Sequence, residues 1–126
     1  MNSRSKGARG ELELAFELNR LGFLTRRSVQ YCGNTGDAAD LVVVNFDPHV
    51  EVKRTERVRL REWLEQVEVD SKGRPWIIFH RGNRMEWLVI QTLSDWVEDS
   101  KAAANARAEV ERRRNQFTEQ THAEPI

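Results

Sequence analysis

The chain has 126 residues, 39% hydrophobic and 32% charged, with 20 basic and 20 acidic side chains that give a formal net charge of zero. That length fits one domain with a single core. No apolar stretch approaches the roughly 20 residues needed to cross a bilayer, and zero net charge excludes a protein that coats nucleic acid by bulk attraction. Cys32 is the single cysteine, so no intramolecular disulfide can form, and with histidines scattered at 49, 80 and 122 a structural zinc site is not expected. The opening segment MNSRSKGARG lacks the apolar core of a secretory signal, so the expected location is the cytoplasm.

In chain order, GELELAFELNRLG sets Leu14, Ala15, Leu18 and Leu21 at the spacing of a helix face, with Gly22 as the stop. FLTRRSV is a short strand and YCGNTGD a glycine-containing loop. DLVVVN is continuously apolar and β-branched, which predicts a central buried strand, and HVEVKR follows across the turn residues Asp47 and Pro48. In RLREWLEQVEVDSKG, Leu60, Trp63, Leu64 and Val67 stand at i, i+3, i+4 and i+7, a second amphipathic helix ended by Gly73. RPWIIFH and EWLVIQ are two further strands flanking the turn RGNR, and Ser94 can cap a third helix starting at Asp95. KAAANARAEVERRR is helical by propensity, so a single domain is expected over 1–114, followed by a polar tail over 115–126 that frays. The four tryptophans, at 63, 76, 87 and 96, fall in apolar periodic segments and are expected in the core. The order α-β-β-β-α-β-β-α predicts an α/β fold, a mixed sheet flanked by helices.

Lys and Arg gather at Arg4, Lys6, Arg9, Arg26 and Arg27 and again at Lys53, Arg54, Arg57, Arg59 and Arg61. Acids gather at Glu62, Glu65, Glu68 and Asp70 and at Asp95, Glu98 and Asp99. This separation permits one basic face on a neutral molecule, and an ordinary mixed surface has the same composition. In the first helix Glu13, Glu17 and Arg20 fall on the solvent arc, but Glu11 falls between Leu18 and Ala15 on the apolar one. A carboxylate there is costly unless something pairs with it; alternatively it is a first-turn glutamate that favours the helix dipole and bends out to water. Asp40 opens the strand expected to be most buried, or closes the GDAAD loop as a turn residue. Glu51 and Lys53 alternate with Val50 and Val52 and so share one strand face, as charged residues of a solvated edge strand also do. If the strands at 40–45 and 49–54 form a hairpin, Asp40 and Glu51 reach the same end of the sheet, beside Lys53 and a helix delivering Glu11. Hard oxygen ligands of this kind suit Mg²⁺ or Mn²⁺. Such an ion activates water and stabilises charge on a phosphoryl oxygen, chemistry that points to phosphodiester hydrolysis.

Glu11, then Asp40, then Glu51-Val52-Lys53 resemble the signature of the PD-(D/E)XK nuclease superfamily, with its restriction-endonuclease-like core, and more narrowly of Holliday junction resolvases of the archaeal type and their phage relatives. The narrower resemblance rests on SKGARGELELAFELNRLGF, GDAADLVVV, VEVKR, WLEQ and WIIFHRGNRMEWLV, and covers roughly residues 5 to 97. Ala39 stands where the superfamily name has proline, a position that carries no ligand.

The resemblance implies that Asp40 and Glu51 bind the metal together with the backbone carbonyl of Val52, with Asp37 as a competitor for the role of Asp40. Lys53 would orient or deprotonate the attacking water. Glu11 would bind a second metal or hold a water on the first, and Gln66 would support the site, unless it is an ordinary surface glutamine. The implied activity is a Mg²⁺-dependent endodeoxyribonuclease, Mn²⁺ substituting, that makes paired nicks in four-way or other branched DNA as a homodimer. The basic segments place Lys6, Arg9, Arg26, Arg27, Arg54 and Arg57 on phosphates. Two alternatives stand beside this: a phage nuclease acting on flaps or other DNA, and a DNA-binding module that keeps the fold without turnover. His80 reads as a satisfied strand-end histidine, His49 as a possible neighbour of the metal, and Cys32, with no local base, as no nucleophile.

Overall fold

The computed structural model describes residues 3–28 and 39–123, with side chains described for 7–28 and 39–121. The chain divides into two compact units, Met1–Gln91 and Thr92–Ile126. The first holds α1 (Ser3–Arg20), β1 (Thr25–Arg27), β2 (Leu41–Val43), β3 (His49–Arg54), α2 (Leu60–Asp70), β4 (Trp76–Arg81) and β5 (Leu88–Ile90), and the second holds α3 (Leu93–Ala123). The expected order of helices and strands is the observed one.

One five-stranded sheet runs β1-β2-β3-β4-β5. Three of its pairings are antiparallel, with Arg27 opposite Leu41, Leu41 opposite Val50 and Ile78 opposite Ile90. β3 and β4 are parallel, Glu51 beside Ile78 and Lys53 beside His80. A parallel pair needs a crossover, and α2 supplies it.

Strand alternation divides the core between the two sheet faces. Leu41, Val43, Val50 and Ile77 pack on Leu14 and Ala15 of α1, with Val52 and Phe79 against the same cluster. Trp76 and Ile78 pack on Trp63 and Val67 of α2. Glu51 and Lys53, out of phase with Val50 and Val52, therefore share the α2 face of β3.

Several boundaries differ from those expected. α1 begins at Ser3 rather than near Gly10, so Glu11 lies in mid-helix and cannot act as a first-turn residue. Its end is a Schellman motif: Gly22, at φ 101°, donates its N–H to the Asn19 carbonyl, and Phe23 donates to Leu18 at 2.9 Å. Leu21, past the last helical turn, is exposed instead of core. The Asn19 side chain then bonds both the N–H and the carbonyl of Thr25, which fixes the start of β1.

DLVVVN is not the central strand. β3 occupies the middle of the sheet, and β2 takes only three residues of the apolar run, because Val44 joins Leu24 and Asn45 turns the chain at φ 61°. In the second unit Thr92, not Ser94, caps α3: the Asp95 N–H donates to Thr92 Oγ1 at 3.1 Å, and the helix starts at Leu93. α3 continues past residue 115, where fraying was expected, to Ala123, with Glu109 bonded to Arg113 one turn on. Trp63 and Trp76 are core residues and Trp87 packs against the core, but Trp96 on α3 is exposed. Among the described residues no helix is long and apolar enough to cross a membrane.

Candidate active site

The β2–β3 register that sets Leu41 opposite Val50 brings Asp40 beside Glu51. Backbone bonds lock the corner: the Asp40 N–H donates to the Val50 carbonyl at 2.9 Å, and Ser28 N–H donates to the Asp40 carbonyl at 3.1 Å. The Asp40 carboxylate turns back over β3 and accepts the Val52 N–H at Oδ2, 2.8 Å away. Glu51 is 4% exposed, and its Oε1 lies 2.7 Å from Nε2 of the equally buried His49.

Two carboxylates this close and this dry cannot both ionise freely. Asp40 is pushed up from 3.8 to about 8, first by burial, then by the charge of Glu51 and a side-chain hydrogen bond to it, with a smaller push from Glu11; the Val52 N–H opposes the shift. Asp40 thus retains a proton near neutrality beside Glu51. Such a pair is a ready ligand for a divalent cation, which replaces the proton and removes the repulsion. In a strand the N–H and carbonyl of one residue point the same way, so the Val52 carbonyl shares the edge occupied by Asp40. Two carboxylates and a carbonyl fit Mg²⁺ or Mn²⁺, which bind few protein ligands and keep waters. Among the described residues no group of three or more His, Cys, Asp or Glu side chains is placed to hold a metal ion, so the set is limited to this pair and the backbone carbonyl.

Lys53 lies on the same face. Its Nζ donates to Gln66 Oε1 of α2 at 3.0 Å and sits 5.9 Å from the centre of the Trp63 ring. The structure thus brings Gln66 to the strand that carries Glu51 and Lys53. Glu11 approaches from α1 and accepts a hydrogen bond from Arg27 Nε at 2.8 Å, the cation that resolves the cost of a carboxylate on the apolar arc. His80 donates its Nε2–H to the Thr55 carbonyl, 2.9 Å away, and stacks at a tilt on Trp63, the satisfied role expected of it.

Two other placements depart from expectation. Arg54 follows Lys53 in sequence but alternation turns it to the α1 face, where it bonds Glu13 Oε2, the Arg81 carbonyl and Asn83 Oδ1. It is committed to this network and not to an open basic face. Glu13, expected on the solvent arc, is the other centre of the network and also pairs with Arg81. The reason is Gly10. A Cβ there would lie 2.5 Å from Arg54 Cβ, so its absence lets β3 close on the helix and reach round to Glu13.

Arg9, Arg26 and Arg57 are exposed, whereas Arg27 is held by Glu11. Lys6 lies in α1, but its side chain, and all of Asp37 and Cys32, lie outside what the structure describes. His49 carries the signal that sequence reasoning underused, since the same alternation that links Glu51 to Lys53 extends back to it. Two cavities lie apart from the carboxylates: one of about 370 Å³ lined by Glu13, Phe16, Glu17, Arg81, Glu86 and Trp87, and one of about 190 Å³ with a purely apolar lining. The first carries Glu13, Glu17 and Glu86 beside Arg81, and the second has no charged group in its lining.

No family model matches the sequence, and no curated protein matches it closely. The structure is similar to that of Hjc from Archaeoglobus fulgidus, a Holliday junction resolvase from an archaeal hyperthermophile, with a TM-score of 0.52 and 23% identity, covering 68% of this chain and 76% of that one. This chain therefore has the fold of a Holliday junction resolvase, the α/β fold expected from its sequence.

Proposed function

We propose that this chain is a metal-dependent endodeoxyribonuclease that hydrolyses phosphodiester bonds in branched DNA, with the four-way junction as its substrate. The observation that carries the reading is half-buried Asp40 beside buried Glu51, with Lys53 two residues on, at one edge of a resolvase-like sheet. Asp40, Glu51 and the Val52 carbonyl would hold Mg²⁺ or Mn²⁺, which supplies an activated water and offsets charge on the scissile phosphate.

The chain's own groups do the rest. His49 fixes the Glu51 carboxylate through Oε1. The Val52 N–H orients Asp40 in the same way. Lys53, steadied by Gln66, places an ammonium beside the carboxylates to orient the attacking water and to bind the phosphate. Glu11, neutralised by Arg27, adds a further carboxylate within electrostatic range of Asp40. The exposed Arg9, Arg26 and Arg57, with Lys6, bind flanking phosphates. A junction presents two exchanging strands related by a twofold axis, so two symmetric incisions call for two copies of the chain.

The test is parallel digestion of junction, fork, flap, linear duplex and single strand in Mg²⁺ or Mn²⁺, with an EDTA control. Paired symmetric nicks in the junction, 5′-phosphate ends and a largely intact duplex are expected. Duplex cut as fast as junction would replace the resolvase reading with a general nuclease. Tight junction binding with no cleavage of any substrate would make the chain a binding module.

A further inference from the structure

α3 is 31 residues long, a rod of about 47 Å. Trp96, Ala103, Val110 and Phe117 stand seven residues apart on it, so all four fall on one narrow seam. Every one is exposed, Trp96 at 55%, Val110 at 58% and Phe117 at 72%. The residues at the intervening seam positions are Ser100, Arg107 and Arg114. Three large apolar groups and an alanine in line on an exposed helix form a surface that water does not favour.

The charge pattern identifies what covers it. Residues 95–101 carry three acids, Asp95, Glu98 and Asp99, against Lys101, whereas residues 107–114 carry four arginines against Glu109 and Glu111. The two segments have equal and opposite net charge. The intrahelical pairs of Arg112 and Arg113 with Glu109, and of Arg114 with Glu111, are exposed, so they hold little of that charge in place. A parallel, in-register copy would set Arg107 on Arg107 and Arg114 on Arg114 in the middle of the seam. An antiparallel copy sets the acidic segment of each helix against the basic segment of the other. It also lets the arginine stems lie on the partner's apolar groups while their charged ends reach the rim.

We propose that α3 is a self-association surface on which a second copy of this chain docks antiparallel along the Trp96–Ala103–Val110–Phe117 seam. The inference stands apart from DNA hydrolysis, because assembly is read without DNA.

The experiment measures the mass of the full chain by sedimentation equilibrium and light scattering from low to high micromolar concentration, with circular dichroism to confirm that each variant remains helical. The wild type is expected to dimerise. Val110→Glu and Phe117→Glu should each lose the dimer, while Ala108→Glu, on the opposite side of the helix from Val110, should keep it. For orientation, Ser100→Cys and Val110→Cys, both on the seam, are introduced separately on a Cys32→Ser background and the chains mixed. Antiparallel docking gives mixed Ser100→Cys/Val110→Cys disulfides in excess over like pairs. A wild type that stays monomeric, a dimer indifferent to both seam variants, or an excess of like pairs would each overturn the proposal, the first leaving the seam to a different macromolecule.

Discussion

Gly10 sits in the interior of α1, where glycine weakens a helix by about 1 kcal/mol relative to alanine. Its value lies in the contact with Arg54, since a methyl group would meet Arg54 Cβ at 2.5 Å. Gly10→Ala is therefore expected to destabilise the protein by about 1–3 kcal/mol in urea unfolding, the overpacking range, instead of stabilising it as at an open helical position. Asp40 gives a second test at this scale. Its carboxyl holds a proton up to about 8 in the fold and only to 3.8 when unfolded, so the stability this provides is complete below 3.8 and lost as pH rises to about 8. EDTA-treated wild type should lose stability across that window, and Asp40→Asn should lose less of it; parallel profiles for the two proteins would show that Asp40 titrates normally. Glu51 and Lys53 were legible in the sequence because strand alternation is visible in five letters. The raised pKa of Asp40 was not, because it depends on the distance between two strands and the burial of that corner.

At the scale of elements, periodicity gave every helix and strand in order, and it failed where ends are set by other physics. The N-terminal half of α1 has few apolar residues to show a helical period, so it was invisible to that signal. Thr92 and Ser94 are both competent caps, and only the bond from the Asp95 N–H decides between them. Arg54 shows how a run of basic residues misleads: Lys53 and Arg54 are adjacent in sequence and on opposite faces of β3. Arg54→Ala should therefore lower the unfolding midpoint through loss of the Glu13 network. Arg57→Ala should leave stability unchanged and reduce the salt slope of junction binding by about one unit. Salt titrations of binding alongside thermal melts separate the two outcomes, and equal loss of salt slope in both variants would return Arg54 to the DNA surface.

For the whole molecule, one sheet carries two different jobs on its two faces. The α1 face supplies most of the apolar core, together with the Glu13–Arg54–Arg81 network. The α2 face carries Glu51 bonded to His49 and Lys53 bonded to Gln66, with Trp63 and Ile78 in the core on that side. On this arrangement, conservative changes at the site are expected to leave the fold intact. Asp40→Asn and Glu51→Gln remove charge at nearly constant shape, and Lys53→Met keeps the stem on Trp63 while removing the ammonium. The most direct measurement is the single-turnover rate of nicking of a four-way junction in Mg²⁺ by wild type and these three variants, each checked for cooperative unfolding. The account predicts nicking by the wild type that EDTA abolishes, and a loss of about a hundredfold or more in every variant. Near-wild-type rates in Asp40→Asn and Glu51→Gln, or nicking that survives EDTA, would contradict it.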